Sequence, residues 1–119
     1  MQFIPTAIHG IIDYIFGVLM LALPWLIQMQ AGESTVFYAV GILAFIYSLI
    51  TKYELGLIPV LSMPAHLVID FLLGIGLIAA PILLYAEFTV PIYFLLPGLF
   101  AIIASLTTRR QPTTQNITD

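Results

Sequence analysis

Cysteine is absent from this 119-residue chain, which removes disulfides, thiolate nucleophiles, thiol redox chemistry and iron–sulfur ligation together. Charge is nearly absent as well. Only 8% of residues are charged and 61% are hydrophobic, whereas soluble domains carry about 25% and about 45–50%. A globule this small has too little interior to hide that much apolar surface. With a mean hydropathy of +1.12, the class that remains is the integral membrane proteins. Three cations make no basic patch, so no nucleic-acid partner is expected. Ordinary enzyme constellations are missing too. Ser48, Ser62 and Ser105 have no base nearby in sequence, and no glycine-rich phosphate loop follows a strand. Tyr14, Tyr38, Tyr47, Tyr53, Tyr85 and Tyr93 read as interfacial or packing aromatics. The balance leans away from an enzyme.

What the chain does have is an internal duplication. His9-Gly-Ile-Ile-Asp13-Tyr-Ile-Phe-Gly17 returns 57 residues later as His66-Leu-Val-Ile-Asp70-Phe-Leu-Leu-Gly74. The same shift, without a gap, also matches Ala22/Ala79, Pro24/Pro81, Leu26/Leu83, Phe37/Phe94 and Gly41/Gly98. Beyond these it matches Ala44/Ala101, Ile46/Ile103, Ser48/Ser105, Leu49/Leu106 and Thr51/Thr108. His9 and His66 are the only histidines in the protein.

A spanning helix needs about 20 mostly apolar residues. Four segments fit, over residues 5–27, 35–51, 64–84 and 91–108, the second and fourth slightly short. The first is read as a transmembrane helix and not a cleavable signal, because no basic region precedes it and Asp13 interrupts it. Pro64 and Pro91 stand at helix starts, where a missing N–H is tolerated. Residues 28–34 read as a polar turn. Pro24 and Pro81 fall near helix ends, Pro97 is expected to bend the fourth helix, and Trp25 suits the headgroup region. Residues 52–63 are unusually apolar for a loop and are expected to lie along the interface.

Lys52, Arg109 and Arg110 end the second and fourth helices, while the opposite loops carry Glu33 and Glu87. The positive-inside rule therefore places both termini and the central loop in the cytoplasm of an inner (plasma) membrane protein. The two hairpins then enter the bilayer from the same side, as parallel repeats and not inverted ones. Residues 111–119 form a polar tail expected to be disordered. The glycosylation triplet Asn116-Ile117-Thr118 in that tail is expected to be silent on the cytoplasmic side.

Gly41, Ala44 and Ser48, with Gly98, Ala101 and Ser105, are spaced by three and four, so each trio lies on one helix face. In lipid, small residues let backbones approach closely, and these faces read as packing seams. His9, Asp13 and Gly17, and likewise His66, Asp70 and Gly74, form a second kind of stripe at i, i+4 spacing. An ionised aspartate facing lipid would cost roughly 2.5–3.5 kcal/mol on insertion scales. Both acids should therefore face protein, near each other. Three readings of that site stay open. One is a structural clasp in which each aspartate accepts hydrogen bonds from histidine, with Gly17 and Gly74 letting a second helix approach. Another is ligation, either of haem b by His9 and His66 or of a divalent metal by two His and two Asp. The last is a proton or ion relay, for which residues 18–21 and 75–78 offer no polar route.

The order Asp13…Gly17…Leu23-Pro24-Trp25 followed by Gly41, repeated as Asp70…Gly74…Ala80-Pro81-Ile82 and Gly98, resembles the SPW-repeat membrane proteins. The namesake serine is Leu23 and Ala80 here, and the second tryptophan is Ile82. The resemblance covers about residues 8–108. It implies an architecture of two-helix units and brings no catalytic residue with it.

The expectation is an all-α membrane protein, one four-helix domain over residues 1–110, with repeats at about 5–53 and 62–110. Its expected role is that of a non-enzymatic scaffold or accessory subunit, without a cofactor, embedded in the lipid bilayer. A homo-oligomer through the small-residue faces, or a place in a larger membrane complex, is expected of so small a bundle. Haem or metal binding, and a channel or transporter, are the alternatives.

Overall fold

The computed structural model describes residues 2–112. Most of the predicted tail, with its Asn116 triplet, lies outside the described residues. Four helices follow one another: α1 (Thr6–Leu26), α2 (Ala31–Leu49), α3 (Met63–Tyr85) and α4 (Ile92–Thr107). Among the described residues there is no strand. α1, α2 and α3 are long and apolar enough to cross a membrane. At 1.5 Å per residue, the 16 residues of α4 span about 24 Å.

Local chemistry explains most of the boundaries. Pro5, Gln30, Ser62 and Pro91 stand extended just before the four helices, and Ser62 Oγ accepts from the Ala65 N–H at 3.3 Å. Pro64 occupies the first turn of α3, where no intrahelical donor is lost. α1 continues past Pro24 and α3 past Pro81, and Pro97 lies inside α4.

One boundary departs from expectation. The turn between α1 and α2 is confined to residues 27–30, and Gly32, Glu33 and Ser34 are already helical. Glu33 sits in the first turn, where its charge complements the helix dipole. The hydroxyls of Ser34 and Thr35 donate back to the Gln30 and Ala31 carbonyls. Polar residues that look like a loop are here the first turn of α2.

The helices are inside-out relative to a soluble bundle. α1 buries Thr6, His9, Gly10, Asp13, Gly17, Met20 and Pro24, while Ile8, Ile11, Ile15 and Val18 are half exposed or more. Moved 57 positions on, that buried stripe becomes Met63, His66, Leu67, Asp70, Gly74, Leu77 and Pro81, all of which α3 buries. α2 buries Phe37, Gly41, Ala44, Tyr47 and Ser48; α4 buries the equivalent Phe94, Gly98, Ala101, Ala104 and Ser105. An exterior of Ile, Leu and Val around a polar and small-residue interior suits a hydrocarbon solvent.

α1 packs along α2 and α3 along α4. The glycines set how closely. A Cβ on Gly98 would lie 2.8 Å from the Gly74 carbonyl oxygen, and one on Gly74 would lie 2.7 Å from that of Gly98. In the other hairpin, a Cβ on Gly41 would meet Leu21 at 2.9 Å and the Gly17 oxygen at 3.1 Å. Ser105 Oγ donates to the Ile102 carbonyl, whereas buried Ser48 Oγ makes no hydrogen bond. The small-residue faces are thus used up within the chain.

The two hairpins meet around Phe37 and Phe94, whose rings touch edge to face at 5.0 Å, in a core with Met20, Leu77 and Ala80. At this end Tyr85 donates to the Gly32 carbonyl at 2.7 Å and Tyr93 to the Glu33 carboxylate at 3.0 Å. At the opposite end, two isolated parallel bridges pair Ile4 with Thr108 and Leu61 with Thr51. Their hydrogen bonds also repeat at the 57-residue shift. Arg109 N–H donates to the Ile4 carbonyl and Ile4 N–H to that of Thr107, just as Lys52 donates to Leu61 and Leu61 to Ile50.

Gly76 offers an internal control, since nothing lies within 4 Å of a Cβ built there. Gly98→Ala should destabilise the protein by about 1–3 kcal/mol through overpacking against backbone. Gly76→Ala should be neutral, or stabilising by up to about 1 kcal/mol from helix propensity. Thermal unfolding of both variants in detergent checks the contrast.

Candidate functional site

The first turns of α1 and α3 deliver His9, Asp13, His66 and Asp70 to one place, and all four are buried. The imidazole rings meet edge to face with centroids 5.4 Å apart. His9 Nε2 lies 2.8 Å from Asp70 Oδ2 and 3.0 Å from Asp13 Oδ1. His66 Nε2 lies 3.0 Å from Asp13 Oδ2 and 3.3 Å from Asp70 Oδ2. Each histidine therefore faces its own aspartate and the one from the other half. The four residues singled out in the sequence form one cluster and not two separate pairs.

Around this centre stand residues that sequence reading did not assign to it. Thr108 Oγ1 is 2.7 Å from His9 Nδ1, and Thr51 Oγ1 is 2.7 Å from His66 Nδ1. Each threonine comes from the opposite half to its histidine. Thr108 Oγ1 donates to the Ala104 carbonyl at 2.6 Å, and Thr51 Oγ1 donates to that of Tyr47. A hydroxyl has one proton to give. With that proton committed to a helix carbonyl, each threonine can only accept from histidine. The network thus places a proton on Nδ1 of both rings and turns both Nε2 atoms toward the carboxylates.

Tyr47 donates to Asp70 Oδ1, and Tyr53 donates to Asp13 Oδ2 at 3.0 Å. Both rings also pack on His66, with centroids at 4.8 and 5.5 Å. Burial first, and then the Asp13 charge, push the Tyr53 phenol well above its ordinary value, so it remains a donor. Tyr14 donates to the Leu55 carbonyl at 2.8 Å, and Thr6 to the Glu54 carboxylate at 2.8 Å, which pins the central loop over the cluster.

The repeat comparison cannot find the two tyrosines, because the shift carries Tyr47 onto Ala104 and Tyr53 onto Arg110. A usable signal for Tyr47 was its place three residues after Ala44 on the buried stripe of α2. For the threonines the signal was the Thr51/Thr108 match itself.

A cavity of about 20 Å³ borders the cluster, lined in part by His9, Asp13, Tyr47 and Asp70. A groove of about 580 Å³ between α1 and α4 has only apolar side chains on its walls and shares Ile12, Phe16 and Phe100 with that cavity. On the far side of the cluster the bundle centre is closed by Met20, Phe37, Leu77 and Phe94.

Fold and site together define an all-helical chain with membrane-length apolar helices wrapped around a buried His/Asp cluster. No family model, curated protein or solved structure matches it.

Hydrogen bonds to charged acceptors contribute about 1.5–3 kcal/mol each. Tyr47→Phe and Tyr53→Phe should each lower stability by that order. Tyr38→Phe, at a residue 41% exposed, should change it little. Thermal melts of the three variants in the same detergent make the comparison.

Proposed function

We propose that this protein is a four-span membrane protein built of two hairpin repeats inserted the same way up. In this reading it is a non-enzymatic scaffold or accessory subunit of a larger membrane assembly, and the His/Asp cluster clasps its halves together. The observation that carries the proposal is the crossed pairing. His9 reaches Asp70, His66 reaches Asp13, and each ring rests on a threonine from the other half. That residues near the starts of α1 and α3 meet supports helices that begin at the same end of the bundle. The repeated bridges and repeated buried stripes support the same arrangement.

α4 is short for a bilayer core of about 30 Å, a mismatch that local thinning or flanking residues absorb at modest cost. Lys52, Arg109 and Arg110 favour the cluster end as the cytoplasmic side of an inner membrane. The likeness to SPW-repeat proteins fits the same architecture. Exposed Ile, Leu and Val faces are the surfaces through which a second copy or another subunit would pack.

A haem held by His9 and His66 is less well supported. Both Nε2 atoms face carboxylates at 2.8–3.3 Å, and the adjoining cavity of about 20 Å³ leaves no room for a macrocycle. Conduction is less well supported too, because the aromatic and aliphatic centre offers no polar path.

The absence of native cysteine makes topology directly testable. In intact cells, an impermeant maleimide should label Gln28→Cys and Glu87→Cys, whereas Leu57→Cys and Arg110→Cys should react only after permeabilisation. Labelling of Gln28→Cys and Glu87→Cys from opposite sides would overturn the same-way-up arrangement. Breaking one partner of a buried ion pair costs about 3–5 kcal/mol, so Asp70→Asn should lower the melting point sharply. An unchanged melting point would remove the clasp.

A further inference from the structure

We infer that the centre of the clasp is a site for one divalent transition-metal ion of the zinc class, held by His9, Asp13, His66 and Asp70. The inference rests on the clasp reading, since it needs these four side chains to converge, and adds what they converge upon.

Geometry supplies the first argument. One ligand atom from each of the four residues can be chosen so that all lie within 4.8 Å of one another. Two imidazoles and two carboxylates around a small, closed centre are a donor set suited to tetrahedral Zn²⁺.

Hydrogen-bond arithmetic supplies the second. Both Nδ1 atoms carry protons toward threonine, so each Nε2 is the atom turned to the centre. With a second proton it donates to a carboxylate, as His9 does to Asp70 at 2.8 Å, and without one it presents a lone pair to a metal. The groups facing those nitrogens from each neighbouring element are carboxylates, Asp13 from α1 and Asp70 from α3, which accept and cannot donate when ionised. The phenols in reach, Tyr47 from α2 and Tyr53 from the central loop, give their protons to those same carboxylates. No donor is left for a bare Nε2.

His66 shows the consequence. The residue is fully buried, yet its Nε2 has no hydrogen-bond partner. A proton placed on it is aligned with neither nearby oxygen, although Asp13 Oδ2 is 3.0 Å away. Buried polar atoms without partners are rare and call for a ligand, a charge or water. A dication at the focus of the four side chains satisfies both nitrogens and both carboxylates and balances the charge of the two acids.

The outer layer has the arrangement found behind metal-binding histidines. The second ring nitrogen of such a histidine donates to a fixed acceptor, which sets the tautomer and the ring's direction. Thr51 and Thr108 provide those acceptors, themselves anchored to helix carbonyls. Tyr47 and Tyr53 orient the carboxylates in the same way. This is a binding site, with no reaction assigned to it.

The test uses the full-length protein in detergent, stripped with a chelator and titrated separately with Zn²⁺, Co²⁺ and Mg²⁺. Expected results are uptake of one Zn²⁺ per chain, a rise in melting point with Zn²⁺, and intense visible bands of tetrahedral Co²⁺. Mg²⁺ should have no effect. Thr51→Val and Thr108→Val keep all four ligands and should weaken Zn²⁺ binding 10–100-fold. Wild-type protein that takes up neither Zn²⁺ nor Co²⁺, or responds equally to Mg²⁺, overturns the site. If Asp70→Asn still melts early in that case, the clasp stands without the metal. If Zn²⁺ binds but Asp70→Asn neither melts earlier nor binds less, both readings fail together.

Discussion

Two carboxylates inside a bundle of apolar helices must be compensated at close range, and the rest of this structure is arranged around that requirement. Burial shields them from water, and a buried charge without a partner is strongly disfavoured. The chain answers by crossing the pairs. Each aspartate is approached by both imidazoles, and each imidazole by both aspartates. Neither hairpin completes this arrangement alone. The ionic cluster therefore couples two halves that share a modest apolar interface.

Other features follow as supports. The glycine contacts, Gly17 with Gly41 and Gly74 with Gly98, draw each hairpin tight enough for its inward stripe to reach the centre. Thr51 and Thr108, at the ends of α2 and α4, stand beneath the rings because the short bridges Thr51–Leu61 and Ile4–Thr108 hold those ends in place. The opposite end is held by tyrosine hydrogen bonds from Tyr85 and Tyr93 to the start of α2, and the Phe37–Phe94 contact fills the middle. Polar ties at both ends and aromatic packing between them give a bundle that exposes aliphatic side chains to its surroundings.

Much of this was legible in the residues. Apolar runs marked the four helices, and i, i+4 spacing put His9 with Asp13 and His66 with Asp70 on inward faces. The cost of an exposed carboxylate argued that the two pairs would meet. What escaped had physical reasons. Residues 31–34 look like loop because Gly32 and Ser34 favour turns and Glu33 adds a charge to an apolar chain, yet at a helix N-terminus the acid complements the dipole and the serine hydroxyl bonds back to the backbone. Tyr47 and Tyr53 escaped because a duplication displays only what its copies share, and each tyrosine belongs to one copy. Thr51 and Thr108 were visible as a match, but a hydroxyl at a helix end is ordinarily a local back-bonding group, and nothing in one dimension says it faces a distant ring. The small-residue seams were recognisable as contacts, but periodicity cannot say whether the neighbour is the next helix or another chain.

The paired bridges carry one more consequence. The segment entering α1 is stitched to the exit of α4 by the same hydrogen bonds that stitch the entry of α3 to the exit of α2. In connectivity the molecule is therefore a closed ring, and the covalent link through residues 52–60 does the job that mere adjacency does at the other seam. A circularly permuted polypeptide, joined across that seam and opened within the central loop, would bring every cluster residue back to the same neighbours. So would two separate hairpins, each ending in its own threonine, which makes a self-complementary dimer of half-size chains a structurally consistent ancestor for this fold.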